Sequence, residues 1–406
     1  MIEIAILGLG TVGGGTADLL ESHKESIARR VGDEIHVKYI LDIRELPDSP
    51  YYDRIVHDYQ IILNDPEVQI VCELIGGSHP AYEFTCQAFE AGKHVVTSNK
   101  EVVATFGDDL LAIAKKNGVR YLFEASVGGG VPIIKPLQSD LAANDILEIS
   151  GIMNGTTNYI LTRMFGAGIS FAEALGEAKA KGYAEADPSA DVDGIDACRK
   201  TAILAAVAFG NLIEPARIHT EGISAIRSED VRAARSFGAE IKLLGRTVCR
   251  ENKDTFMMVA PFLIGNDSPL AHVHDVFNGI LVRGSAVGDV MFYGRGAGAL
   301  PTASAVCSDV LSLAKGANAL PELSFARTEE GPTDFAFFSC RRYLALKNTD
   351  ENAVRVIFGN DTKIKEDEET KELWVMTEEM TENAYLQSVS RLEKSGAVLL
   401  SHIRVY

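Results

Sequence analysis

An α/β fold, with a Rossmann-type doubly wound parallel sheet at its N-terminal end, follows from three features of the sequence. Short apolar runs alternate with helix-like stretches as far as about residue 125. The first run ends in a glycine-rich turn, Gly8-Leu9-Gly10-Thr11-Val12-Gly13, which opens a helix. The joining turns are short and polar, and strands alternating with helices across such turns build parallel sheets.

Taken in order, residues 2–7 (Ile-Glu-Ile-Ala-Ile-Leu) are a short apolar run and read as a buried strand. A helix-like stretch carries Leu19, Leu20 and Ile27 to about Val31. Strands are expected at 35–41, 68–75, 94–97 and 119–123, with helices at 82–91 and 107–117 between them. The block to about residue 330 differs in texture. It holds Gly128-Gly129-Gly130, the 154–158 segment, and an acid-rich loop before an apolar helix. Thr328 to Thr333 is polar with Gly and Pro, and reads as a short linker. In the tail, 342–346, 373–376 and 398–406 read as strands. The stretch 381–394 reads as a helix with Gly396 as its stop.

At about 150 residues per domain, 406 residues make two or three domains. The boundaries expected are 1–130, completed by a helix near 300–320, then 131–320, then 335–406. The net charge is −18, the wrong sign for a nucleic-acid partner. The longest apolar run, Ala202 to Phe209, is too short to cross a bilayer. With residues 1–7 read as a strand rather than a signal segment, the expectation is a cytoplasmic protein without a membrane partner. Six cysteines are scattered with no CxxC pair, which fits reduced thiols.

The chemistry begins at the glycine turn. Gly8 permits the turn, Gly10 lets the backbone approach a pyrophosphate, and Gly13 lets helix and strand pack closely. Cofactor choice stays open: Asp42 favours NAD through the ribose hydroxyls, while Arg44 favours NADP through a 2′-phosphate. Five acids, Glu185, Asp187, Asp191, Asp193 and Asp196, precede Lys200. Asp196 and Lys200 are four apart and share a helix face. Such a pair fits a solvated helix surface. On pattern alone that reading leads, and the other is a cleft in which carboxylates keep a lysine protonated for alkoxide chemistry. Lys100 follows the strand at 94–97, at the edge where such sheets bind ligands. His272 and His274 have no neighbouring ligand set, so a structural or surface role is expected.

These stretches together resemble homoserine dehydrogenase: the glycine motif, Ser98-Asn99-Lys100, the run from Glu124 to Pro132, Asn154-Gly155-Thr156-Thr157-Asn158, Gly182 to Lys200, and Gly294 to Gly298. The order and spacing cover about residues 1–320. The resemblance implies an NAD(P)-dependent oxidoreductase that interconverts L-aspartate 4-semialdehyde and L-homoserine in threonine, methionine and isoleucine biosynthesis. It implies catalytic roles for Lys200, as proton donor and acceptor, and for Lys100. It implies substrate contacts from Glu185, Asp196, Asp191, Gly155 and Thr156. The cofactor set it implies is Gly8, Gly10, Thr11, Val12, Gly13, Arg44, Gly76, Ser98, Lys100, Gly182 and Gly296. A structural monovalent cation, Na⁺ or K⁺, is implied at Glu124 and the carbonyls of Val127, Gly129 and Val131. The central unit would also form a homodimer or homotetramer.

Residues 335–406 stand where many such enzymes carry an ACT domain, a βαββαβ module that senses amino acids. The Pro-Gly turn of that module's ligand loop is absent, and 364–371 is short and acidic. Regulation by threonine, dimerisation and a vestigial role therefore stand side by side. Two other functions compete with the main one. A related amino-acid or aldehyde dehydrogenase would differ at 154–158 and 185–200, and a non-catalytic nucleotide or amino-acid sensor would lack the lysines.

Overall fold

The computed structural model describes residues 1–250, 255–316, 321–328 and 331–406. Part of the linker at 328–333 and the end of the 300–320 segment lie outside the described residues.

The first unit runs β1 (Ile2–Leu7), α1 (Thr11–Ser22), α2 (Lys24–Val31), β2 (Ile35–Leu41), β3 (Ile55–Val56), α3 (Tyr59–Asn64), β4 (Val68–Glu73), α4 (Ala81–Glu90), β5 (His94–Thr97), α5 (Lys100–Lys116) and β6 (Tyr121–Leu122). Its six strands form one sheet, ordered β3-β2-β1-β4-β5-β6, with every pairing parallel. Every residue of β1 is buried, as a strand covered on both faces requires. The order reverses between β1 and β4, which opens a crevice at their carboxyl ends.

Several elements differ from expectation. The first helix is two, broken at His23. The helix expected from residue 107 begins at Lys100, because the Asn99 side chain accepts from the Val102 amide and caps it. Its opening turns hold Val102, Val103 and Thr105, β-branched residues that mask helical character. β3 and α3 are too short to carry a periodic signal.

The central unit comprises β7 (Ile146–Ile152), α6 (Gly155–Ala167), α7 (Phe171–Ala180), α8 (Ser189–Val192), α9 (Ile195–Phe209), β8 (Asn211–Leu212), β9 (His219–Thr220), α10 (Ser228–Ser236), β10 (Ala239–Cys249), β11 (Thr255–Gly265), β12 (Phe277–Gly284) and β13 (Gly288–Arg295). The strands run β13-β12-β7-β10-β11 in the sheet, with β9 against β11. Next, α11 (Ala299–Ala314) returns to the first unit. Gly15 of α1 lets it approach, since a Cβ there would lie 3.1 Å from the Ala299 carbonyl oxygen. β14 (Ala326–Arg327) pairs with β8.

The tail adds β15 (Ser339–Cys340), β16 (Arg342–Lys347), α12 (Glu351–Phe358), β17 (Lys363–Glu366), β18 (Leu373–Met376), β19 (Met380–Thr381), α13 (Glu382–Lys394) and β20 (Val398–Val405). β15 and β19 form a small ladder of their own. The other four strands form an antiparallel β20-β16-β18-β17 sheet within a βαββαβ order. β20 also pairs in parallel with β11, so this sheet continues the central one. Tyr343, Trp374, Met376 and Ile403 share a buried cluster with Tyr159 and Leu161 of α6. Among the described residues no helix is long and apolar enough to cross a membrane.

Candidate active site

At the crevice, Gly8 (φ +94) turns the chain, and Gly13 packs so tightly that a Cβ would lie 1.9 Å from the Gly8 carbonyl oxygen. Gly10, at the N-terminus of α1, makes no side-chain cap, and the space around it is open. The first-turn amides beside Gly10, Thr11 and Val12 therefore face room for an anion. Gly76 and Ser98 lie on the turns after β4 and β5 at the same edge. Asp42 is buried and committed: Oδ2 accepts from the Leu9 amide at 2.8 Å, and Arg44 binds both oxygens, at 2.9 and 2.8 Å. Arg44 also donates to the Leu9 carbonyl at 3.0 Å. The guanidinium holds the Asp42 carboxyl well below the usual carboxylate range. Asp42 and Arg44 thus form one brace on the glycine loop.

The second feature is a buried lysine–carboxylate–lysine row. Lys200 Nζ donates to Asp196 Oδ2 at 2.8 Å and to the Met153 carbonyl at 2.7 Å. Lys100 Nζ, from the first residue of α5, meets Asp196 Oδ1 at 2.6 Å in an ion contact. Asn154 caps α6 through the Thr157 amide, and its Nδ2 donates to Asp191 at 2.7 Å and Asp196 at 3.0 Å. Burial alone would raise the Asp196 carboxyl, but the charges of Lys200 and Lys100 outweigh it and hold it well below its usual range. For Lys200, burial dominates: it lowers the ammonium below the ordinary lysine value, Lys100 adds to the drop, and Asp196 opposes it. Desolvation is the larger effect.

Other expected residues are placed as follows. Thr156 Oγ1 donates to the Tyr183 carbonyl at 2.7 Å and tethers the turn at Gly182. Gly155 passes close to Val276, with 2.9 Å from a would-be Cβ to its carbonyl oxygen. Glu185 is exposed and has no hydrogen bond or ion pair with any described residue, so it is not brought into the lysine row. Gly129 and Gly296 pack on each other, a Cβ at Gly129 lying 2.1 Å from the Gly296 carbonyl oxygen. The Glu124 carboxylate is buried and accepts the amides of Ile133, Ile134 and Lys135 at 2.6, 2.9 and 2.8 Å. His274 meets Glu240, and His272 meets the Asn266 carbonyl. Among the described residues no cluster of His, Cys, Asp and Glu suits a transition metal. The six cysteines are free thiols.

Sequence reasoning gave Asn154 and Asn99 no site role. Each is an N-cap whose spare amide hydrogens serve the site. Asn154 reaches the two aspartates, and Asn99 reaches the Ile75 and Gly77 carbonyls at 3.2 and 2.7 Å. An Asn just before a helix signals a cap, but nothing in the sequence shows where its amide points.

A parallel sheet with an uncapped glycine loop at its switch point, together with a buried lysine–aspartate–lysine row, is the arrangement of a nicotinamide-dependent oxidoreductase acting on a CH–OH group. Comparison with known proteins carries this to a family. The family model for homoserine dehydrogenase matches residues 132–311, and the model for its NAD-binding domain matches residues 8–124. A homoserine dehydrogenase from Synechocystis sp. is 45% identical over 319 residues, 77% of this chain and 73% of that one. A crystal structure of a homoserine dehydrogenase from Thiobacillus denitrificans covers 100% of this chain and 98% of its own, with a TM-score of 0.92 and 38% identity. A hyperthermophilic archaeal homoserine dehydrogenase in complex with NADPH covers 79% of this chain and 99% of its own, with a TM-score of 0.68 and 30% identity. The chain belongs to the homoserine dehydrogenase family.

Proposed function

We propose that the protein interconverts L-homoserine and L-aspartate 4-semialdehyde with NAD(P), in threonine, methionine and isoleucine biosynthesis. The observation that carries the reaction is the Lys200–Asp196–Lys100 row at the carboxyl end of β5. The bound nicotinamide supplies or takes up the hydride. In the oxidative direction Lys200 Nζ, neutral, takes the substrate hydroxyl proton. In the reductive direction it returns a proton to the carbonyl oxygen as the alkoxide charge develops. Asp196 holds both lysine side chains in place, and Lys100 adds positive charge beside the reacting oxygen. The uncapped start of α1 and the turn at Gly76 would seat the cofactor. Arg44 Nη1 has no partner among the described residues, which supports acceptance of a 2′-phosphate and hence of NADP.

A monovalent cation, Na⁺ or K⁺, fits here through backbone alone. The carbonyls of Val127, Gly129 and Val131 accept no hydrogen bond from a described residue. The βαββαβ order of the tail supports an ACT-like unit, and the central sheet supports assembly into a homodimer or homotetramer. The proposal is tested by following reduced-nicotinamide absorbance with L-homoserine and NAD⁺ or NADP⁺ in turn. Homoserine-dependent reduction is expected. None with either nucleotide, in folded protein that binds nucleotide, would refute it.

A further inference from the structure

An ion network and the strap it holds link the tail to the loop that leads into the lysine row. Arg404, near the end of β20, is 2% exposed. Its guanidinium donates to Glu221 Oε2 at 2.8 Å and to Glu382 Oε2 at 3.4 Å, and lies 5.0 Å from the Phe335 ring centre. Arg342 binds the same Glu382 oxygen at 2.6 Å. The other oxygen of Glu221 meets His219 Nε2 at 2.6 Å, and His219 stacks on Phe335 with ring centres 4.0 Å apart. The Glu221 amide donates to the Val259 carbonyl at 2.7 Å, fastening this strap to β11.

The strap then runs directly against the acidic loop. A Cβ on Gly222 would lie 2.3 Å from the Val192 carbonyl oxygen, and the Ile223 amide donates to that oxygen at 2.8 Å. Gly194, in the left-handed region at φ +82, rests on Val259 and Thr220, with their methyls 3.1 and 3.2 Å from a would-be Cβ. Val192 to Gly194 is the stretch between Asp191 and Asp196. A displacement of the strap therefore moves the carboxylate between the two lysines. Buried ion pairs contribute little net stability over apolar packing of the same volume, so geometry is the better account of this one.

We propose that Arg404 is a positioning residue for the reaction: held on Glu221, it fixes residues 219–223 against the 191–196 loop and sets where Asp196 stands. The tail thereby becomes part of the catalytic apparatus without touching substrate. This inference rests on the proposed roles of Asp196 and Lys200.

The test uses the full chain carrying Arg404→Met, Arg404→Lys, Glu221→Gln or Asp196→Asn. Each variant is assayed for homoserine oxidation, nucleotide Kd and Tm. Arg404→Met and Glu221→Gln are expected to lower kcat by about tenfold to about a hundredfold, with nucleotide Kd unchanged within about twofold, as displacement of a reacting group does. Arg404→Lys restores most of the loss. A lower Tm with unchanged kcat in Arg404→Met, beside a slowed Asp196→Asn, would overturn the inference alone and leave Arg404 a stabilising residue. An unaffected Asp196→Asn would overturn the site itself, and with it the route from Arg404. Should Arg404→Met fail to fold, Glu221→Gln, which keeps the side-chain volume, decides the matter on the same readings.

Discussion

Lys200 is the residue on which the proposed chemistry turns, and burial is what would make it useful. A surface lysine stays charged at neutral pH and accepts no proton, whereas desolvation lowers the ammonium toward the working range. Lys200→Ala should reduce kcat for homoserine oxidation by about 10²- to 10⁴-fold, the usual share of a general base, with nucleotide Kd unchanged. In the proposed mechanism the neutral amine is the competent form in oxidation. The rate should therefore rise with pH through the Lys200 pKa, and the midpoint should fall below the ordinary lysine value of 10.5. A pH profile of kcat checks this. Glu73, at the end of β4, is a second perturbed group. Burial pushes its carboxyl up to about 7, although the Thr97 hydroxyl and the Ile75 amide bond it. A raised carboxyl pKa means that the folded state binds the extra proton. The stability it gives is whole below about 4.5 and is lost as pH rises through about 7. Glu73→Gln should abolish that slope, on the order of 3 kcal/mol across the window, measured by denaturant melts at several pH values.

Among the elements, the glycine loop and α1 allow a sharp comparison. A Cβ at Gly13 would collide with the Gly8 carbonyl, while Gly14 has open space around it. Gly13→Ala should destabilise by about 1–3 kcal/mol through overpacking and weaken nucleotide binding. Gly14→Ala should gain up to about 1 kcal/mol from helix propensity and leave binding intact. Thermal melts and nucleotide titrations separate the two. The same elements show what the sequence can convey. β1, β4 and β5 were legible because strands buried on both faces write near-continuous apolar runs, and β2 because Ile35 and Val37 alternate with His36 and Lys38. The pairing of β10 with β11 was not, because β10 breaks its apolar residues with Glu240, Lys242 and Arg246, of which Glu240 and Lys242 are buried. The motif residues of the site were legible one by one. That Asp196 faces two lysines at once was not, since Lys100 and Asp196 are distant in sequence and meet only when α5 packs on α9. In the tail, α12 and β17 escaped notice because they are short and carry many charged residues.

At the scale of the whole molecule, the tail shares both a sheet and a core with the central unit. Elements joined in this way unfold together. Calorimetry should therefore show one transition for residues from about 146 to 406, with no separate melting of the tail. Removing residues 335–406 would strip β20 from the edge of β11 and uncover Leu161 and Tyr159. An exposed strand edge beside apolar surface invites association, so that truncated chain should aggregate, as light scattering would report.

The brace at Asp42 constrains how coenzyme preference can evolve. Exchanging the acid at the end of the second strand is the familiar path from one coenzyme to the other. Here that exchange would unhook Leu9 and release Arg44 together, so the loop would falter before any selectivity was gained. Ile43 is 96% exposed and carries no such duty. Substitution there would leave the Asp42 brace on the glycine loop intact.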